Sequence, residues 1–205
     1  MDIKKFLKKF WFIVWKDNSF KGWIITIVFL FILIKFIFFP LLSLTTGTSL
    51  PLAIVESCSM YHQGNLLSNF DNWWETHESN YEEFSITQVD FKNYIFKKGF
   101  NKGDILFIIK ANPDTLKKGD VIIFNAGYNY PIIHRIINIE EKDEGKIFTT
   151  MGDNVGHVQM FEETILEKQL VGKAAFKIAP YLGWTKLILF EFTQPQEKRG
   201  FCNAN

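Results

Sequence analysis

The chain opens on a helical rhythm. Ile3, Phe6, Leu7, Phe10 and Val14 recur at three- and four-residue spacing, while Lys4, Lys5, Lys8 and Lys9 gather elsewhere on the wheel. That is the pattern of an amphipathic helix lying among lipid headgroups, although a bare topogenic lysine cluster would need no such helix. From Trp23 to Phe39 the alternation stops, and "WIITIVFLFILIKFIFF" is interrupted by Thr26 and Lys35 alone. Carried past Pro40 to Leu44 the run has 22 residues, about 33 Å of helix against a hydrocarbon core of ~30 Å. Lys35 costs roughly 2.5–3.5 kcal/mol near mid-bilayer, but each Leu, Ile or Phe returns about 0.3–0.6 kcal/mol, so insertion wins. The run is too long for a cleavable leader, and no small-x-small site follows in "SLTTGTSLPL", so an uncleaved signal anchor is expected.

Beyond the anchor the period changes to two. "GDILFIIK" (103–110), "GDVIIFNAG" (119–127), "YPIIHRIINIEE" (130–141), "GKIFTTMGD" (145–153) and "LVGKAAFKIAP" (170–180) are rich in β-branched and aromatic residues and separated by turn residues. No helix-length pattern lies between them, so a mostly antiparallel sheet folded into a small barrel or sandwich is expected. Residues 63–101 differ: Phe70, Trp73, Trp74, Tyr81 and Phe84 follow one helical face, and Thr87 with Asp90 offers caps for a second short helix. Such an aromatic face most often covers a sheet; contact with headgroups or a substrate helix is the functional alternative. The tail from Gly183 carries "GWTKLILFEF", too short to span a membrane but able to rest on one.

Charge then fixes a direction. Lys4, Lys5, Lys8, Lys9, Lys16 and Lys21 precede the span, and after Lys35 no Lys or Arg appears until Lys92. The positive-inside rule therefore predicts a cytoplasmic N-terminus and an outside domain. A net charge of +1 gives no global field that would suggest nucleic acid. Cys58 and Cys202 stand 144 positions apart. They could pair, but they make no disulfide framework and lack metal-ligand spacing, so a small buried residue and a tail thiol is the simplest reading, and the redox compartment stays open.

Four places could hold chemistry: Ser57 and Ser59 in "VESCSMYH", His134, Asp153 and His157. A serine hydroxyl needs a base to take its proton, and an imidazole suits that near neutrality. Alternation puts His134 on one face of its strand with Ile132 and Ile136, and Arg135 on the other with Ile133 and Ile137. Taken singly, a strand histidine is usually structural and an aspartate in "MGDNVG" usually shapes a turn.

In order, however, "SCSM" at 57–60, "KGDIL" at 102–106, "KKGDVIIF" at 117–124, "PIIHRI" at 131–136, "GDN" at 152–154 and "VGKAAFKIAPYLG" at 171–183 resemble type I signal peptidases. The match is to the archaeal and endoplasmic-reticulum type, which uses histidine where bacterial enzymes use lysine. The resemblance implies a membrane-anchored serine endopeptidase that cleaves exported preproteins after a small-x-small site. Ser59 becomes the nucleophile and His134 the general base. The Ser57 hydroxyl and Ser59 N–H become the oxyanion hole, and Asp153 the residue that orients His134. It implies no cofactor and no metal. The expected partners are signal peptides, the lipid bilayer and the secretion translocon, at the plasma membrane.

Two positions depart from the family pattern. Cys58 replaces the usual glycine between the serines, and Gln159 stands where the family carries a second aspartate. Asp153 is the favoured acid; Glu162, Glu163 or a Ser–His dyad are the alternatives, and His157 is a substitute base. The departures also define a second function, an anchored β module that binds exported chains with a degraded catalytic set. A soluble self-cleaving regulator of the related fold is disfavoured by the span. An intramembrane aspartate protease is disfavoured because its acids belong within crossing helices.

The expected fold is thus mainly β: a single N-terminal transmembrane helix, then an antiparallel β barrel or sandwich-like catalytic domain with a helical insertion. The expected boundaries are a basic amphipathic cytoplasmic segment (1–21), a signal anchor (22–44), an extracytoplasmic peptidase domain (45–182) with insertion 63–101, and an amphipathic tail (183–205).

Overall fold

The computed structural model describes residues 2–64, 70–128, 130–143 and 145–202. Residues 65–69 of the expected insertion, 203–205 of the expected tail and the Phe6 side chain lie outside the described residues. The chain forms two compact units, Met1–Thr45 and Thr46–Asn205.

In the first unit, Asp2 caps α1 (Ile3–Lys16) and Ser19 caps α2 (Phe20–Leu33), each side chain accepting a backbone N–H of the first turn. The two helices fold back on each other. Phe10 meets Phe29 edge to face at 5.1 Å, and the Thr26 hydroxyl donates to the Val14 carbonyl at 3.2 Å. Gly22 permits this tight return, because a Cβ there would lie 2.7 Å from the Asp17 carbonyl oxygen. After α2 the helix widens into one π turn, Ile34–Phe38, and resumes as α3 (Phe39–Thr46). Pro40 explains the wide turn, since it lacks an N–H and its ring crowds the carbonyl four residues back. The helix from Phe20 to Thr46 is long and apolar enough to cross a membrane. Phe20, Phe31 and Phe36 are among the many apolar side chains it leaves exposed.

The second unit is built on one seven-stranded sheet in which every pair is antiparallel. The strands are β1 (Leu52–Ile54), β2 (Ile105–Ile109), β3 (Val121–Phe124), β4 (Ile132–Lys142), β5 (Gly145–Met151), β6 (Ile165–Leu166) and β7 (Leu170–Ala179). Their order is β1-β2-β7-β3-β4-β5-β6. Register shifts in the β2–β7, β3–β7 and β4–β5 pairs bend the sheet. The mainly β class expected from alternation holds, with the five predicted runs appearing as β2, β3, β4, β5 and β7. Alternation missed β1 and β6, which have three and two residues.

Both faces of the middle strands are covered. Val121 and Ile123 of β3 pack into a cluster with Met60, Phe100, Leu106 and Ile108. Ile122 and Phe124 point the other way, into a cluster with Ile136, Phe148 and Ile165. The insertion supplies α4 (Phe70–His77), α5 (Ser79–Glu82) and α6 (Gln88–Asn93), the last opening on a Thr87/Asp90 capping box. Trp73, Trp74, Tyr81 and Phe91 from these helices are buried against Ile137 and Met151 of the sheet.

Two turns repeat a local device. In "KGD" at 102–104 the Asp104 carboxylate takes the Asn101 N–H and pairs with Lys177; in "KGD" at 118–120 Asp120 takes the Lys117 N–H and pairs with Lys173. Each turn needs its glycine in the left-handed region, Gly103 at φ 89° and Gly119 at φ 90°. The motifs are therefore strand-entry turns locked by lysines of β7.

Candidate active site

The site is assembled where β4 passes the loop that follows β1. Ser59 stands in a tight turn closed by the Tyr61 N–H on the Cys58 carbonyl at 3.1 Å. Asn154 clamps this turn twice, its N–H on the Ser59 carbonyl at 2.8 Å and its Nδ2 on the Cys58 carbonyl at 3.2 Å. The Ser59 Oγ lies 2.9 Å from His134 Nε2 and 3.1 Å from Ser57 Oγ. On the far side of the ring, His134 Nδ1 meets a carboxylate oxygen of Glu162. Glu162 is buried, and its position is fixed by the Thr150 hydroxyl and the Gln159 N–H, each at 3.1 Å. Hydroxyl, imidazole and carboxylate thus form one line. With Nδ1–H donated to Glu162, the lone pair of Nε2 faces the serine hydroxyl, the arrangement a general base requires.

Asp153, the acid favoured from the sequence, does not contact His134. Register explains why. Arg135 pairs with Met151 across the β4–β5 ladder, so Gly152 comes opposite His134 and the Asp153 side chain falls on Arg135's face. There its carboxylate takes Arg135 Nε at 2.9 Å and Nη2 at 2.7 Å, His62 Nε2 at 2.9 Å and the Tyr81 hydroxyl at 3.1 Å. Arg135 is fully buried, and the carbonyls of Ile95, Phe96 and Gly119 take its remaining N–H groups. The guanidinium also lies over the Phe91 ring at 4.6 Å. Burial works against ionisation of Asp153, but Arg135 and the His62 and Arg135 hydrogen bonds outweigh it and hold the carboxyl far below the usual carboxylate range.

The GDN motif consequently serves three neighbours. Gly152 leaves room for the His134 ring, since a Cβ there would lie 2.9 Å from both His134 Nε2 and the Ser59 carbonyl oxygen. Asp153 neutralises Arg135, and Asn154 holds the serine turn.

Glu163, an alternative acid, is exposed, and its carbonyl accepts the Thr149 hydroxyl. His157 is exposed and makes no contact with Ser59 or Glu162 among the described residues. His62 is buried and stacked on Trp73 with ring centroids 3.6 Å apart. Burial lowers its pKa despite Asp153, so the ring is neutral and donates Nε2–H to that carboxylate. Cys58 and Cys202 are not separate thiols but a disulfide, with Cα atoms 5.5 Å apart. Sequence spacing carried no sign of it, because nothing in the chain foretells that the tail returns to the serine loop. No group of residues that could hold a metal occurs among the described residues.

No protein-family model matches the chain. Curated relatives do. The signal peptidase complex catalytic subunit SEC11C of Homo sapiens is 35% identical over 99 residues, covering 45% of this chain and 52% of that protein. The putative signal peptidase complex catalytic subunit SEC11B of Homo sapiens is 32% identical over 91 residues, 41% of this chain and 54% of the relative. The signal peptidase complex catalytic subunit SEC11 of Scheffersomyces stipitis is 28% identical over 99 residues, 45% of this chain and 58% of the relative. The chain spans about half the length of the curated relatives it matches. Over that stretch it is homologous to signal peptidase catalytic subunits, the type I signal peptidases that its ordered motifs resemble.

Proposed function

We propose that this protein is a membrane-anchored serine endopeptidase that removes signal peptides from exported preproteins after a small-x-small site. The observation that carries the reading is the line Ser59–His134–Glu162. Ser59 Oγ attacks the scissile carbonyl carbon while His134 Nε2 takes its proton. The oxyanion is met by the Ser59 N–H and the Ser57 hydroxyl, a donor class whose loss typically costs ~2.7–4 kcal/mol of barrier. His134 then gives the proton to the leaving amine. A water, deprotonated by the same ring, hydrolyses the acyl-enzyme and restores Ser59. Glu162 holds the tautomer and stabilises the imidazolium, and Asp153 is a structural partner of Arg135.

The helix Phe20–Thr46 anchors the enzyme with its N-terminus cytoplasmic and the catalytic unit outside the plasma membrane. The lysine asymmetry supports this orientation, and so does the Cys58–Cys202 bond, since disulfides persist in oxidising compartments. Leu44 and Ser59 are 15 residues apart, at most ~50 Å of extended chain, so the nucleophile stays near the outer leaflet where cleavage sites emerge from the translocon. An extended substrate added as a strand beside the sheet edge near Ser59 would point alternate residues into shallow pockets, which accounts for the small-x-small preference.

Incubation of purified protein in detergent with a preprotein, beside S59A, tests the reading. Cleavage by wild type alone supports it, as does loss in H134A with retention in H157A; cleavage by both wild type and S59A, or by neither, removes it. The degraded-module alternative rested on Cys58 and Gln159. The structure gives the first a disulfide and makes the second the start of the turn that delivers Glu162.

A further inference from the structure

We propose that the Cys58–Cys202 disulfide is a positioning device for the nucleophile, tying the serine loop to a C-terminal strap so that the Ser57 and Ser59 hydroxyls are held in register. The proposal rests on the peptidase reading of the same site. The bond lands on the one residue between the two hydroxyls. Asn154 and Tyr61 hold the Cys58 and Ser59 carbonyls from the downstream side. The upstream side is exposed at Glu56 and Ser57, with an ion pair of Glu56 to Lys186 that is open to water. The disulfide supplies the buttress there.

The strap is stiff enough to transmit that hold. Buried Lys102 donates to Glu191 Oε1 at 2.6 Å and to the Lys198 carbonyl at 2.8 Å, and Glu191 Oε2 takes the Gly200 N–H at 2.6 Å. Phe201, next to the cysteine, packs on Trp184 with centroids 4.7 Å apart, and Trp184 Nε1 donates to the Lys102 carbonyl at 2.9 Å. The adjoining turn is in turn bonded to the residue that follows β1. Gly103 N–H reaches the Val55 carbonyl at 2.8 Å, and Val55 N–H the Asp104 carbonyl at 2.9 Å. The serine loop is therefore held twice, directly at Val55 by backbone bonds to this turn and at Cys58 by the covalent bond to the strap that Lys102 ties to the same turn. A staple serving only to fix the tail could land anywhere on the surface; this one lands between the nucleophile and the oxyanion donor.

The test uses the full chain in detergent as oxidised wild type, wild type reduced with tris(2-carboxyethyl)phosphine, C58S, C202S and the double variant. The phosphine gives two electrons to the disulfide, and one water supplies the two protons that make two thiols and the oxygen with which the phosphine leaves as phosphine oxide. Expected are a 10- to 100-fold fall in kcat on a preprotein with KM within twofold, and recovery of kcat when the phosphine is removed and the bond reformed. Deuterium exchange should rise in the peptide covering residues 55–62 while β3 and β4 stay protected. Unchanged kcat and exchange in C202S would overturn the proposal, as would a loss of protection spread over the whole sheet, which marks a plain stabilising staple. Should oxidised wild type fail to cleave, or S59A cleave equally, the peptidase reading falls, and the exchange measurement still decides the tether.

Discussion

Replacing Glu162 by glutamine tests the catalytic line most sharply. One oxygen of the carboxylate accepts from His134 Nδ1 and the Thr150 hydroxyl, and the other accepts the Gln159 N–H. Glutamine has one acceptor oxygen and cannot serve both sides. If that oxygen stays on His134, the amide NH2 confronts the Gln159 N–H, leaving a buried donor unsatisfied at about 1–3 kcal/mol, and the charge-assisted bond to the imidazolium, worth about 1.5–3 kcal/mol, is lost. The second loss alone is roughly a 10- to 150-fold fall in kcat. If the amide flips, its NH2 donates to Nδ1, the ring proton moves to Nε2, and the base faces Ser59 with no lone pair. That tautomer error costs ~10⁴ in the Ser-His-Asp proteases. E162Q should therefore lose between about tenfold and 10⁴-fold in kcat, with KM changed little, on a preprotein or a soluble peptide carrying its cleavage site. Thermal unfolding run in parallel shows that the variant is folded. A folded E162Q with kcat within threefold of wild type would refute the assignment.

Other consequences are directly measurable. D153N removes the charge facing a fully buried guanidinium, which typically costs 3–5 kcal/mol; melting should fall by roughly 6–20 °C, with kcat in the surviving folded fraction reduced less than in E162Q. G152A brings a methyl to 2.9 Å from His134 Nε2 and the Ser59 carbonyl oxygen, so cleavage should fall by about 100-fold while far-ultraviolet circular dichroism is unchanged. His62 gives a pH signature: its folded pKa lies below the ordinary 6.5, so between those values the unfolded chain binds more protons. Its contribution to stability is complete above pH ~6.5 and is lost as pH falls toward the folded pKa. Urea unfolding across that window should show a slope that flattens in H62Q, whose amide can still donate to Asp153.

How much of this was written in the chain depends on the range over which each interaction acts. Apolar run and alternation placed the long apolar helix and five of the seven strands, because burial of one face leaves its period in the sequence. Ser59 and His134 were legible only through ordered motifs; nothing local to either residue announces the other, 75 positions away. The carboxylate beside His134 is Glu162 and not the favoured Asp153, for a reason of register. Which face Asp153 takes is set by the pairing of Arg135 with Met151, and pairing between strands is not encoded in the period of either one. Glu162 leaves a faint signal, as an acid three residues after Gln159, and stands among the alternatives to Asp153. The disulfide left none, since closing a 144-residue loop depends on the entire fold.

The aromatic insertion has a consequence for anyone trimming this chain toward its sheet. Tyr81 and the Ile95 and Phe96 carbonyls serve the same aspartate–arginine pair whose next neighbour, Asn154, grips the serine turn. Excising the helices would open that pair to water and slacken the grip from behind, so the shortened protein would be damaged at its reactive centre although no reacting atom had been removed.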